Sequence, residues 1–106
     1  MLVANTAPST LSAARVSFEP GARTAWHTHP RGQAIHVLSG VCQAQAQGGA
    51  LQEIYAGDAV WFAPGEVHWH GAKPGHTMVH LAMQESDQTG VNAVWMQHVR
   101  EDELSA

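Results

Sequence analysis

One stretch, GARTAWHTHPRGQAIHVLSG at residues 21–40, constrains this chain more than any other. His27 and His29 are two residues apart. In an extended strand alternate side chains share a face, so both imidazoles project to one side while Trp26 and Thr28 face the other. Pro30 fixes its own φ and Gly32 tolerates a positive φ, so the intervening turn brings Gln33 back beside the pair. Two imidazoles and an amide oxygen converging from adjacent strands supply most of a divalent-metal site. The competing reading is a pair of surface histidines on a hairpin.

The flanking sequence has a strand period throughout. Ala14, Val16 and Phe18 oppose Arg15, Ser17 and Glu19 over residues 13–20. Gln33, Ile35 and Val37 oppose Ala34, His36 and Leu38 over residues 33–39, which Gly40 closes. Cys42, Ala44 and Ala46 alternate with Gln43, Gln45 and Gln47, which reads as a strand with a polar outer face. Further extended runs cover residues 23–29, 51–55, 59–63, 68–71, 77–85 and 91–99, separated by Gly- and Pro-containing turns. No apolar period of 3.6 residues is sustained over a helical length. The expected architecture is therefore all-β, a barrel or sandwich. Residues 1–12 read as a lead-in or edge strand, residues 13–99 as the barrel, and residues 100–106 as a polar tail with room for one helical turn.

Composition excludes several classes of partner. A chain of 106 residues accommodates one domain with one core. Its net charge is −4 with only five Lys and Arg, which argues against nucleic acid and against an anionic membrane surface. Cys42 is the sole cysteine, so no internal disulfide is possible and a reducing compartment is compatible. No apolar run approaches the roughly 20 residues of a spanning helix. The opening MLVANTAPSTLSA lacks the basic-then-apolar order of a secretory signal, so a cytoplasmic location is expected.

Residues 57–68, GDAVWFAPGEVH, add a turn, a strand, a second turn and then a histidine. Together with the first stretch they resemble the two motifs of the cupin superfamily. The first motif falls on Gly21, His27, His29, Gln33 and Gly40 with every spacing kept, and the second on Gly57, Asp58, Pro64, Gly65 and His68. The resemblance implies a single-domain double-stranded antiparallel β-barrel, or jelly roll, in which His68 joins His27, His29 and Gln33 around one divalent metal. The pattern departs from the family at Gln33, where glutamate is usual, at Ala72, where asparagine is frequent, and in the adjacency of Pro64 and Gly65. A neutral glutamine leaves the ion its full dipositive charge, which favours Lewis-acid chemistry over stabilising higher-valent iron.

The segments VSFEPGARTAWHTHPRGQ, GDAVWFAPGEVHWHGA, MVHLAMQE and VWMQHV narrow the resemblance to small bacterial monocupins acting as manganese-dependent hydroxynitrile lyases. That resemblance implies Mn2+ first, with Fe2+, Zn2+ and Ni2+ as alternatives, and cleavage or formation of cyanohydrins. The competing functions are a metal-dependent oxygenase sharing fold and ligands, and a non-catalytic cupin that binds a small molecule.

Further side chains are expected on the walls of the pocket. His70, two residues beyond His68, faces the same interior if that segment is a strand, either as an acid–base or as a polar wall group. His80, by analogy with the family, lines the pocket on a face shared with Met78, Ala82 and Gln84, and Gln84 is assigned to substrate binding. Val16, Phe18, Ile35 and Val37 would form an apolar wall for an aromatic or aliphatic organic substrate. His36 and His98 are expected to face outward or into a subunit contact, and His76 and Arg31 to be solvated in turns. Trp26, Trp61, Trp69 and Trp95 fall out of phase with the ligands and read as core between sheet and dimer partner, which makes a homodimer or larger homo-oligomer the expected state. Cys42 reads as a small core residue.

Overall fold

A single long strand carries the architecture. In the computed structural model, which describes residues 2, 4 and 6–104, β3 (Gln33–Ala46) pairs with four other strands. Its first half pairs antiparallel with β5 (Ala59–Phe62) and with β7 (Met78–Glu85), and β7 in turn pairs with β1 (Leu11–Phe18). Its second half pairs with β4 (Gln52–Tyr55) and with β6 (His68–Ala72). Beyond β6 lie the short strands β2 (His27–Thr28) and β8 (Val94–Trp95). The result is a curled antiparallel half-barrel, and among the described residues the regular structure is all β apart from one 3-10 turn at Glu101–Glu103.

The sequence pattern breaks at Gly40, between one strand and a second from residue 42; the structure runs through both as one strand. The reason is local. The β3–β7 register shifts between Val37 and Ser39, and Gly40 takes a φ of 75°, so a bulge turns the backbone from one wall to the other without ending the strand. Three other expectations change. Leu11 and Ser12 belong to β1 rather than to a lead-in, because the pairing with β7 runs unbroken from Leu11 opposite Glu85 to Phe18 opposite Met78; residues 1, 3 and 5 of that lead-in lie outside the described residues. Residues 91–99 contribute only the two-residue β8. Gln45 is buried rather than on a polar outer face, since its Oε1 accepts the Trp69 Nε1–H at 3.0 Å and its Nε2 donates to the Gly49 carbonyl.

Inward residues of both walls pack into one core. Ile35, Val37, Cys42, Ala44, Ile54, Phe62, Ala72, Met78 and Ala82 form the core, with Phe18 and Val60 packed against it. Cys42 is fully buried, which pushes its thiol up to about 11. Among the described residues no helix is long and apolar enough to cross a membrane.

Candidate metal centre

The inner face of the half-barrel also carries a cluster of imidazoles. His27 on β2 stands directly opposite His68 on β6, so the two rings emerge on the same face, with centroids 4.3 Å apart. His29 follows one pleat later, 5.0 Å from His27 and 5.6 Å from His68. Gln33 opens β3 and is buried beside them.

Each of the three histidines has its Nδ1 against a backbone carbonyl. His27 meets the Ala25 oxygen at 2.8 Å, His29 the Asn92 oxygen at 2.6 Å and His68 the Glu66 oxygen at 2.9 Å. A carbonyl only accepts, so Nδ1 carries the proton in all three and Nε2 holds the free lone pair. The Nε2 atoms of His27 and His29 are buried with no partner among the described residues, and His68 Nε2 lies 3.0 Å from Gln33 Oε1. Gln33 in turn donates from Nε2 to Gln84 Oε1 at 3.1 Å, and Gln84 donates to the Ser12 hydroxyl at 2.8 Å. With the amides in this sense, acceptors from His68 and Gln33 face each other with no hydrogen between them. A buried cluster of lone pairs of this kind fits a cation.

Burial keeps these rings neutral. Desolvation is the largest effect at every one of them: it lowers His27 and His29 against the opposing pull of their carbonyl bonds, and lowers His68 to about 3.

Deeper in the cavity His70 Nδ1 and His80 Nε2 are 3.1 Å apart and share one proton between them, while His70 Nε2 and His80 Nδ1 have no partner among the described residues. Desolvation and then the neighbouring His80 hold His70 well below the usual range, and burial lowers His80 to about 4. The Thr24 hydroxyl accepts the His70 backbone N–H at 3.2 Å. Ligand atoms of His27, His68 and His70 lie within 4.8 Å of one another, so three histidines that could hold a metal ion come together. That trio contains His70 in place of His29. His29 Nδ1 is held by the Asn92 carbonyl and His70 Nδ1 by the His80 ring, so both present a free Nε2 toward the cluster.

The cavity has a volume of about 270 Å³. The structure places Val16, Phe18, His70, His80 and Gln84 on its wall with His27, His29 and Gln33. His68 sits behind this wall, stacked on Phe62 at 3.8 Å. Ile35 and Val37 do not reach the cavity: both are fully buried in the core, because the inward face of β3 at these positions is covered from both walls. Five wall residues lie beyond those expected from the sequence, namely Ala14, Thr24, Asn92, Ala93 and Trp95. Asn92 acts through its carbonyl, which no side-chain pattern reveals. Trp95 reads from its phase as core between sheet and dimer partner; within this one chain it is 62% exposed. Arg31, His76 and His98 are exposed and His36 half-buried, all away from the cavity.

An antiparallel half-barrel with clustered histidines on its inner face defines a class. Residues 14–83 match the cupin domain, and the chain belongs to that family. Over 96 residues it is 54% identical to a protein of Granulicella tundricola named (R)-mandelonitrile lyase, covering 91% of this chain and 72% of that relative. Among solved structures, a cupin-like protein of Thermotoga maritima superposes with a TM-score of 0.84 at 37% identity, covering 92% of this chain and 72% of the other. A DMSP lyase of Ruegeria pomeroyi shares the fold at a TM-score of 0.72 and 20% identity, covering 88% of this chain and 46% of the other.

Proposed function

We propose that this chain is a metal-dependent lyase that cleaves cyanohydrins to a carbonyl compound and cyanide, and forms them in reverse. The observation that carries this reading is the set of imidazoles pinned at Nδ1 by Ala25, Asn92 and Glu66, with Nε2 of His27 and His29 unpartnered among the described residues, and that of His68 facing Gln33 Oε1, beside the His70–His80 pair. Similarity to a relative named (R)-mandelonitrile lyase supports the substrate class. His27, His29, Gln33 and His68 would hold one divalent ion, manganese by resemblance. Bound there, the ion supplies Lewis acidity toward the substrate hydroxyl.

The proton transfers fall to His70. With its Nδ1–H donated to His80 Nε2, His70 presents a lone pair at Nε2 and takes the hydroxyl proton. The O–H electron pair becomes the carbonyl π bond, and the bond between the carbinol carbon and the nitrile breaks with its electrons on cyanide. His70 then returns the proton, and hydrogen cyanide leaves. Burial disfavours an imidazolium at His70, so the proton is passed on rather than retained. His80 orients the His70 ring, while Val16 and Phe18 keep water from the reacting carbon.

Elemental analysis of the purified protein combined with a mandelonitrile cleavage assay tests this reading. One divalent ion per chain and release of cyanide are the expected results; a metal-replete protein with no cleavage would overturn the lyase. The chain is further proposed to form a homodimer, because Trp61 is 59% exposed and Leu11 45%, apolar area that a second copy would cover. Sedimentation at the monomer mass would contradict it.

A further inference from the structure

Trp95 stands directly opposite His27 in the β2–β8 pairing, and directly opposed residues of antiparallel strands share a face. Its indole accordingly lies over the His27 ring, centroids 4.5 Å apart at 35°, on the wall of the cavity. Its position is held by backbone bonds on the β8 side: the Met96 N–H donates to the Trp26 carbonyl, and the Trp26 N–H to the Gln97 carbonyl. Three residues upstream the Asn92 carbonyl takes the His29 Nδ1–H. One short segment thus orients a proposed ligand and holds an indole at the cavity mouth, with most of that indole uncovered.

An uncovered indole gains most from stacking on another π system. The rest of the apolar wall does not discriminate in this way. Ala14, Val16, Ala82 and Ala93 offer small aliphatic contacts, and Phe18 is already engaged with His80 at 5.1 Å.

We propose that Trp95 is the specificity-determining residue of this cavity: its exposed indole stacks on an aryl group next to the reacting carbon, selecting aromatic over aliphatic substrates. The proposal rests on the cyanohydrin reading for the reaction, though not for recognition of the ring.

Calorimetric titration with benzyl alcohol and with isobutanol, neither of which can be cleaved, separates the two. The metal-replete protein should bind benzyl alcohol in preference. Trp95→Ala should bind it roughly tenfold more weakly, with isobutanol affinity within about twofold and metal content unchanged, and Trp95→Phe should recover most of the loss. Equal losses for both alcohols, or loss of metal, would overturn the proposal and leave Trp95 as a prop for His27. An unchanged aryl preference together with a smaller assembly would also overturn it, placing the indole in a subunit contact. An aryl preference that depends on Trp95 in a protein unable to cleave mandelonitrile would support this assignment and overturn the lyase instead.

Discussion

At the scale of single residues, the centre depends on which nitrogen of each histidine is free. Removing His68 takes away one of four proposed ligands. His68→Ala should therefore empty the site, and full metal occupancy by elemental analysis would refute the assignment. Gln33→Glu makes a different prediction. A carboxylate keeps an oxygen toward the ion but reduces its effective charge, so metal content should hold while cleavage slows. The new carboxylate also meets Gln84 Oε1 where an amide N–H now donates, so Gln84 must turn over to restore the bond. Greater activity in this variant would contradict the charge argument. At His70, substitution by Phe removes the proposed base while retaining bulk; cleavage should fall on the order of 10²-fold or more with the metal in place. Near-normal turnover would move the role to His80. The histidine spacing was legible in the sequence because strand periodicity alone puts His27 and His29 on one face. What fixes their tautomers was not, since Ala25, Glu66 and Asn92 contribute only carbonyl oxygens.

At the scale of elements, alternation located nearly every strand but did not show where one strand becomes two walls. Gly40 reads as a stop because glycine usually ends a strand pattern, and only the pairing of β3 with β7 on one side and β6 on the other shows it to be a corner. Phase likewise gave the inward face of β3 correctly, without saying that Ile35 and Val37 lie in the core rather than on the cavity wall. Another close approach tests how the site is braced. Gly71 of β6 is crossed by residues 22–24: the Ala72 N–H donates to the Ala22 carbonyl at 2.9 Å, and the Thr24 N–H to the His70 carbonyl at 2.9 Å. A Cβ at position 71 would run into the Ala22 carbonyl oxygen and come within 2.8 Å of the Arg23 Cα. Both obstacles are backbone, so neither can swing aside. Gly71→Ala should destabilise the fold by about 1–3 kcal/mol through overpacking. It should also lower cleavage, because the displaced segment carries the Thr24 hydroxyl that holds the His70 backbone. An unshifted urea midpoint would show that the crossing is looser than this packing implies.

At the scale of the whole molecule, buried neutral imidazoles make folding a pH-dependent equilibrium. In the unfolded chain each histidine takes up a proton near pH 6.5. In the folded, metal-free protein burial delays this to about 4 at His80 and about 3 at His68, and lowers His27, His29 and His70 as well. Between pH 6.5 and those lower values the unfolded chain binds more protons than the folded one, so acid favours unfolding. The stability held by neutral imidazoles is thus complete above pH 6.5 and is lost progressively as the pH falls toward 3. Each such histidine adds a slope of up to about 1.4 kcal/mol per pH unit within its window. The carboxylates Glu53, Asp87 and Glu103, whose values are also lowered, act in the same sense but only at more acid pH. Urea midpoints of metal-stripped protein should accordingly stay level from about pH 8 to 6.5 and decline below that. His80→Phe should flatten the decline without abolishing it, because the other four rings still titrate. Bound metal must compete with protons for the same nitrogens, so the loaded protein should lose its added stability over the acid side of this range. A metal-free protein equally stable at about pH 5 and pH 7 would mean that these rings are protonated as readily folded as unfolded, and that the cavity is wetter than the burial of its histidines implies.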